Sequence, residues 1–411
     1  MARVLPLLCC LVWMGIGCAD RQARNPLDPQ VEDPAVEIGP LEAVAGDGEV
    51  VLRWDYSAFE DVSGYRLYRR SGDGDLELYR ELAAGTRAYT DLRVENGATY
   101  AYQLALLVRG EGERRLEPVR QATPGPQAGW AADLGSGLVW RISPDNRAAF
   151  FGQGRFPGLV GVGVDQRDGS CWVSDRYFKG LVRISASGEL SEHPAALGEA
   201  GPLSIDPDQQ VGWLVDSARQ TVSWFALAPL ADSLALEVVD ARFEGLAVLE
   251  ARAGSCWIGA ADRVLRYWRE DRRRQEWAVE KPKALAPIPE GGAWALVRGG
   301  QGLVYLEPEG GIREFTLPFA VAQALEADPQ SGACWVAGME AVVSLAADGT
   351  SLAQWEGLAG GRALALDGVH RQLWVAAPEL LIKVSAEGQV LARLGGFASL
   401  GGIEVDPGTS R

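Results

Sequence analysis

Histidine is scarce in this sequence, with two residues in a chain of 411. It is the side chain most often used as a general base near neutral pH and the commonest metal ligand. His193 follows a Ser-Glu pair, His370 lies in a polar turn, and neither belongs to a Glu-x-His pair. We therefore assign no catalytic residue and predict neither a metal site nor another cofactor.

Basic residues are also in deficit, since 39 Lys and Arg stand against 55 Asp and Glu and give a net charge of −16. Binding to nucleic acid or to anionic lipid by charge alone requires clustered Lys and Arg. The composition therefore predicts no nucleic-acid partner. Its apolar fraction of 47% is that of a soluble globular protein, and the length allows more than one domain.

Cysteine is rare as well, with six residues. Cys171, Cys256 and Cys334 each directly precede a Trp in a repeated phrase, of which Gly-Ser-Cys-Trp-Val at 169–173 is the clearest copy. Equivalent positions of separate repeats should lie too far apart for a disulfide, and no CxxC spacing indicates a metal. We interpret these thiols as small buried side chains.

Long apolar runs are missing except at the start, where residues 4–17 form an uncharged run of 14 residues after a basic start. This is too short to span a bilayer but typical of a signal peptide. The run ends Met-Gly-Ile-Gly at 14–17 before Cys18 and resembles a bacterial lipobox. The resemblance implies that residues 1–17 are removed and that Cys18 is lipidated; an ordinary cleaved signal is the alternative.

The resemblance also implies a location, because Ala19, rather than Asp, follows Cys18. In lipoproteins of this type that residue is compatible with sorting to the outer membrane, on its periplasmic or surface face. The membrane is then a partner through the lipid anchor. Residues 18–35 are polar, contain three Pro and show no periodicity, so we expect a flexible tether.

Residues 36–124 contain about seven short alternating apolar runs, which predicts a β-sandwich. Trp54 stands in an early strand, and the segment 94–102 places Tyr100 after an Asn-Gly turn. These features resemble a fibronectin type III domain, with Trp54 as its buried Trp and Tyr100 as its tyrosine corner. Such modules commonly act as spacers. Thr-Pro-Gly-Pro at 123–126 marks a stiff boundary.

A tryptophan recurs every 37 to 44 residues in the rest of the chain. The seven copies are Trp130, Trp172, Trp213, Trp257, Trp294, Trp335 and Trp374. A period near forty with four short strands per repeat is typical of a β-propeller. Asp406 begins another repeat but the sequence ends before its Trp, while Trp130 lacks a first strand. We therefore predict an all-β chain in which residues 127–411 form a seven-bladed propeller closed by the C-terminal strand.

The repeated phrase of acid, turn, Cys-Trp-Val and Gly turn resembles NHL-type and streptogramin-lyase-like propeller repeats. Residues 311–318 (GIREFTLP) are close to the fourth strand of the lyase-like repeat. The resemblance implies the fold. For enzymes of these families the resemblance would also imply a divalent metal and, in the lyases, a catalytic histidine on the central top face of the propeller. Neither His193 nor His370 matches that position.

Acidic residues occupy two positions in the repeat. Seven positions before the Trp we expect carboxylates that cap the first turn, at Asp165, Asp206, Glu250, Asp328 and Asp367. Three positions after the Trp, Asp133, Asp175 and Asp216 place carboxylates on one rim of three neighbouring blades. This rim, with Arg176, Tyr177 and Lys179 of the richest loop, is a candidate ligand site; local capping of strand ends is the alternative.

These features favour an envelope-anchored lipoprotein whose propeller binds a protein, peptide or glycan partner. A metal-dependent lyase- or lactonase-like enzyme and an envelope-assembly scaffold are the alternatives. The charged hairpin at 269–277 (REDRRRQEW) is either a solvated edge or a partner contact. No motif identifies the ligand.

Overall fold

The structure is a computed structural model. It describes residues 39–408 except 47, 57–60, 73, 111, 126, 187, 207, 229–232, 240–242, 247, 289–290, 359 and 386. The predicted signal peptide, Cys18 and the tether therefore lie outside the described residues. Within the described part, the chain is built from β-strands, with one short 3₁₀ turn at Arg298–Gly300. No helix in this part is long and apolar enough to cross a membrane.

The first eight strands form two antiparallel sheets, one of three strands in the order β1-β2-β5 and one of five strands around β3 and β6. They are β1 Gly39–Ala45, β2 Val50–Asp55, β3 Val62–Ser71, β4 Glu77–Ala83, β5 Ala88–Asp91, β6 Tyr100–Val108, β7 Gly112–Arg115 and β8 Arg120–Ala122. Both sheets contribute to one apolar core, in which Trp54 meets Tyr65 edge to face at 5.6 Å. The Tyr100 hydroxyl accepts a hydrogen bond from the Glu95 amide at 3.0 Å and closes the turn before β6.

The remaining described strands form seven antiparallel sheets of four strands each. Sheet 1 contains β9 Ala128–Asp133, β10 Leu138–Ile142, β11 Ala148–Phe151 and β36 Leu400–Asp406. Sheet 2 contains β12 Leu159–Asp165, β13 Ser170–Asp175, β14 Gly180–Ile184 and β15 Leu190–Pro194. Sheet 3 contains β16 Ala200–Asp206, β17 Val211–Asp216, β18 Thr221–Ala226 and β19 Glu237–Val238.

Sheets 4 to 7 follow in chain order. Sheet 4 contains β20 Val248–Arg252, β21 Ser255–Gly259, β22 Arg263–Trp268 and β23 Arg274–Ala278, and sheet 5 contains β24 Ala284–Pro287, β25 Ala293–Val297, β26 Gly302–Leu306 and β27 Ile312–Phe315. Sheet 6 contains β28 Ala322–Ala327, β29 Cys334–Gly338, β30 Ala341–Leu345 and β31 Ser351–Glu356. Sheet 7 contains β32 Ala363–Asp367, β33 Gln372–Ala377, β34 Leu380–Ser385 and β35 Val390–Gly395.

The first strand of each sheet contacts the first strand of the next, and the series returns on itself. The contacts run β12-β16-β20-β24-β28-β32-β36 and back from β36 to β12. The strand β36 completes sheet 1 by pairing with β9, which places Glu404 opposite Trp130. The seven sheets thus surround a common axis, and the two ends of this part of the chain share one sheet.

The repeat Trp residues fill the spaces between adjacent sheets. Trp130 belongs to the second strand of sheet 1 and packs with Val162, Val164 and Cys171 of sheet 2. Cys171 and its counterparts are fully buried, free thiols. Near the axis the sheets approach closely, since a side chain at Gly163 would lie 2.6 Å from Leu203 of the next sheet. One large residue per sheet, together with close approaches such as the one at Gly163, therefore sets the spacing of the ring.

Candidate functional site

The three rim carboxylates are engaged by the backbone. Asp133 is buried and accepts hydrogen bonds from four amides, those of residues 135 and 136 and those of Ala398 and Ser399 at 2.8 and 2.7 Å. Asp175 accepts from Gly158 and from Tyr177, both at 2.8 Å. Each carboxylate therefore ties the loop after the second strand to the connection that enters the same sheet.

Asp216 repeats this arrangement in sheet 3. It accepts from the amides of Gly198 at 2.8 Å and Arg219 at 3.0 Å, and the Arg219 guanidinium lies 2.9 Å away. Burial alone would raise the pKa of Asp216, but the hydrogen bonds from Gly198 and Arg219 outweigh it and lower that pKa. The charged form of Asp216 therefore caps the loop and stabilises it.

The loop after Asp175 keeps its polar side chains at the surface. Arg176 and Lys179 are exposed, and Tyr177 is 71% exposed. Arg176 and Tyr177 lie across Gly158, where an added Cβ would fall 2.4 Å from Arg176 Cγ. The structure therefore brings Arg176 and Tyr177 together near Asp175, whereas Lys179 is exposed later in the same loop. Asp133 and Asp216 cap separate loops on the neighbouring sheets. Among the residues described, no group of three His, Cys, Asp or Glu could hold a metal ion.

Four of the five predicted turn caps behave as expected. Asp165, Asp206, Asp328 and Asp367 each accept a hydrogen bond from the amide two residues later. The prediction is wrong for Glu250, which lies opposite Trp257. Only Ala253 and Gly254 separate the first two strands of sheet 4, so this hairpin is two residues shorter and Arg252 occupies the turn position instead.

His193 lies on the outermost strand of sheet 2, and His370 lies in the turn between the first two strands of sheet 7. His193 is 7% exposed, packs at a tilt against Trp172 with ring centres 5.3 Å apart, and shares a hydrogen bond of 3.0 Å with Ser191. His370 is placed by its turn beside Asp367, with Nδ1 2.8 Å from the carboxylate.

The residues opposite the repeat Trp on the innermost strands form a layer around the axis. In ring order they are Glu404, Gly163, Ser204, Glu250, Ala286, Glu326 and Ala365. Three of the seven are glutamates. We call Glu250, Glu326 and Glu404 the axial glutamates.

The axial glutamates hold protons more tightly than free glutamates do. Burial raises the pKa of Glu326 to about 8, and the charge of Glu404 adds to the effect. Burial also raises the pKa of Glu404 to about 7, and it raises that of Glu250 well above 4.5 together with the charges of Glu404 and Glu326. Glu404 remains exposed and the other two remain partly exposed, so protein surrounds these groups while they still reach solvent. A local cluster of protonatable groups results.

A pocket of about 370 Å³ lies between the outer strands of sheets 3 and 4. We call it the outer groove; it is lined by Trp224, Glu237, Val238, Tyr267, Arg269, Glu270, Arg272 and Arg274. The sequence explains its position, because β19 contains two residues whereas the outermost strands of the other six sheets contain four to six. The short strand leaves Trp224 of β18 half-buried, facing the β22–β23 hairpin of sheet 4.

Stacked cations hold the hairpin of sheet 4 in place. The Arg266 guanidinium lies 4.9 Å from the Trp257 ring centre and 4.3 Å from that of Trp268, and Arg273 covers Trp268 at 3.8 Å. Arg266 also donates to the Gly291 carbonyl oxygen at 2.7 Å. Burial lowers the pKa of Arg266 to about 10. These contacts make the wall of the outer groove rigid.

Arg269 connects the two sides of the outer groove. Its guanidinium lies 4.9 Å from the Trp224 ring centre and donates to Gln209 of sheet 3 at 3.2 Å. Its Nε is buried and has no hydrogen-bond partner among the described residues. Arg272, Glu237 and Glu270 form no ion pair within that same part of the chain. The groove therefore combines an aromatic surface with available groups of both charges.

The sequence pointed to only one side of this groove, the charged hairpin at 269–277. The other side was missed because Trp224 and Glu237 belong to a different repeat unit. A third strand with Trp at the position opposite the repeat Trp, followed by a very short fourth strand, is the signal that could have found it.

Sequence comparison with known proteins identifies no family, since no family model matches the chain. One curated protein, an amylopullulanase from Thermoanaerobacterium saccharolyticum, is 32% identical over 96 residues. The match covers 22% of this chain and 7% of the amylopullulanase, so the chain spans a small fraction of that enzyme.

Solved structures show the fold. A protein of unknown function from Desulfotomaculum acetoxidans superposes with a TM-score of 0.53 at 15% identity, over 68% of this chain and 98% of its own. A protein from Lactobacillus plantarum gives 0.52 at 13% identity over 68% and 98%. A streptogramin B lyase gives 0.50 at 14% identity over 61% and 87%. These are β-propeller proteins, and the ring of sheets shares their fold.

Proposed function

We propose that this chain is an envelope-anchored lipoprotein whose propeller binds a protein, peptide or glycan partner. The observation that carries the proposal is the outer groove, which combines a half-buried aromatic side chain, a rigid wall and charged groups of both signs. Binding sites are usually concave and place polar groups around an apolar surface. The outer groove is more polar than most, with Trp224 as its main exposed apolar element and five charged residues around it. The rim carboxylates already accept hydrogen bonds from backbone amides, which favours the outer groove over the rim as the binding site.

The architecture that we propose has a fibronectin type III-like spacer before a seven-bladed propeller. Seven sheets whose innermost strands contact one another in a closed series support the blade number. The shared core around Trp54 and the Tyr100 hydroxyl bond to Glu95 support the spacer. Arg147 of the propeller donates to the Ala43 and Gln121 carbonyl oxygens, so the two parts are joined through backbone acceptors.

The anchor is proposed from the sequence, in which Cys18 follows an apolar run of 14 residues. Metabolic labelling with a fatty acid tests it in a bacterial host that processes lipoproteins. The wild-type chain should incorporate the label and sediment with outer-membrane fractions, whereas Cys18→Ser should do neither. Equal labelling of both chains would refute the anchor.

Binding is tested with immobilised full-length protein and an envelope extract from the producing cells. Trp224→Ala should lower the retained amount about tenfold, because aromatic anchors dominate binding energy. Trp355→Ala is the matched control, since Trp355 is also half-buried but lies on the outermost strand of sheet 6, away from the outer groove. Equal retention by wild type and Trp224→Ala would refute a function of the outer groove.

A further inference from the structure

We infer that the outer groove binds a saccharide. The inference rests on the proposed function and specifies the chemistry of its ligand. It follows from three features of the groove: the aromatic surface, the balance of charges and the incomplete hydrogen bonding of Arg269.

The aromatic surface of the groove is the exposed part of Trp224, since Tyr267 lines the groove but is buried. Trp224 is half-buried on β18, while Tyr267 is 5% exposed and packs edge to face on Trp213 at 6.0 Å. The two rings are thus held by different sheets and cannot turn freely. A fixed, partly exposed indole offers a flat apolar surface, and the C–H face of a pyranose ring is complementary to it.

The charges of the groove favour a neutral ligand with many hydroxyl groups. Its lining includes three arginines, Arg269, Arg272 and Arg274, and two glutamates, Glu237 and Glu270. The glutamates would oppose a polyanion and the arginines would oppose a polycation. A hydroxyl group both donates and accepts hydrogen bonds, so it can use guanidinium and carboxylate groups together. Sugars present several such hydroxyls at fixed spacing.

Arg269 retains donor capacity next to the indole. One terminal nitrogen, Nη2, donates to Gln209 at 3.2 Å, whereas the other, Nη1, donates to no described residue. A terminal guanidinium nitrogen of this kind can donate to a ligand hydroxyl without giving up the Gln209 contact. The guanidinium lies over the Trp224 ring, 4.9 Å from its centre, so a sugar ring against the uncovered part of the indole would place a hydroxyl beside it.

The volume fits a short saccharide segment. At about 370 Å³ the groove lies near the lower end of the range for small-molecule sites, roughly 300–1,000 Å³. We therefore expect it to bind one or two sugar rings, either as a free disaccharide or as part of a longer glycan.

Saturation-transfer difference NMR with the full-length protein tests this inference. The probes are maltose, cellobiose and N,N′-diacetylchitobiose, together with a tetraglutamate peptide. At least one disaccharide should show saturation of its ring C–H protons. Its affinity should fall about tenfold in Trp224→Ala and in Arg269→Ala, while Trp355→Ala and Arg313→Ala should match wild type. Arg313 is a suitable control because its guanidinium also lies 4.9 Å from an aromatic ring, that of Tyr305.

The outcomes separate the ligand class from the function. Saturation of a disaccharide that survives in Trp224→Ala, or of none of the three, overturns the saccharide inference. If the peptide binds and Trp224→Ala abolishes its binding, the saccharide inference fails but the proposed function stands. If Trp224→Ala also retains envelope material as wild type does, the proposed function fails as well.

Discussion

Replacing Glu326 by Gln should make the folded protein less sensitive to rising pH. The pKa of Glu326 is about 8 in the folded protein and has an ordinary value of 4.5. A group whose pKa is raised on folding stabilises the fold below its unfolded pKa, and that contribution is lost as the pH rises through the folded pKa. Stability should therefore decline between about pH 4.5 and pH 8, and glutamine cannot contribute to this decline.

The size of the effect follows from the two pKa values. Each pH unit between them corresponds to about 1.4 kcal/mol, so the full interval would give about 5 kcal/mol. Glu326 is partly exposed toward the axis, and solvent there reduces the penalty for its charge. We expect roughly 1–2 kcal/mol between pH 5 and pH 9.

Denaturant unfolding at fixed ionic strength between pH 5 and pH 9 measures this difference. The stability of Glu326→Gln relative to wild type should increase up to about pH 8 and then level off. Glu379→Gln is the control, because Glu379 is exposed on a turn of sheet 7. Parallel pH curves for Glu326→Gln and wild type would refute the account of the axial glutamates.

Three further predictions concern the ring itself. Asp133→Ala leaves four backbone amides without their acceptor and should cost about 3 kcal/mol in unfolding free energy; a loss below about 0.5 kcal/mol would contradict its capping role. Ile403→Ala should lower the free energy of unfolding by about 2–4 kcal/mol, because Ile403 is 4% exposed on β36, the strand that completes sheet 1. Leu391→Ala, at a position that is 44% exposed, should lower it by less than about 1 kcal/mol. Equal losses in the two variants would contradict the role of β36 in closing the ring. Burial raises the pKa of Cys171 and Cys256, so Ellman's reagent at pH 8 should modify them only after unfolding, and rapid native labelling, located by mass spectrometry, would contradict this.

The repeated tryptophans predict the propeller fold well because each has the same physical task. One large side chain per repeat fills the space between two sheets, so its spacing reports the size of the unit. The turn carboxylates were also predictable, since Asp at the first turn position accepts from the amide two residues later.

Register was harder to predict from spacing. Glu250 and Asp165 both stand seven residues before their Trp, yet a hairpin shortened by two residues moves Glu250 from the turn to the axis. The axial glutamates were therefore not recognised as a group. The outer groove depends on contacts between two repeats, which no pattern within one repeat can show. Trp224 and Arg269 meet only because the ring places sheets 3 and 4 side by side.

The most direct test of the outer groove is site-specific photo-crosslinking in intact cells. A benzophenone amino acid is placed at Val238, which lines the groove and is 60% exposed, or at Val369, which is 56% exposed on a turn of sheet 7. We predict a crosslinked adduct from position 238 that disappears when Trp224→Ala is added, and no such adduct from position 369. Equal crosslinking from the two positions, or none from position 238, would contradict a binding site in the outer groove.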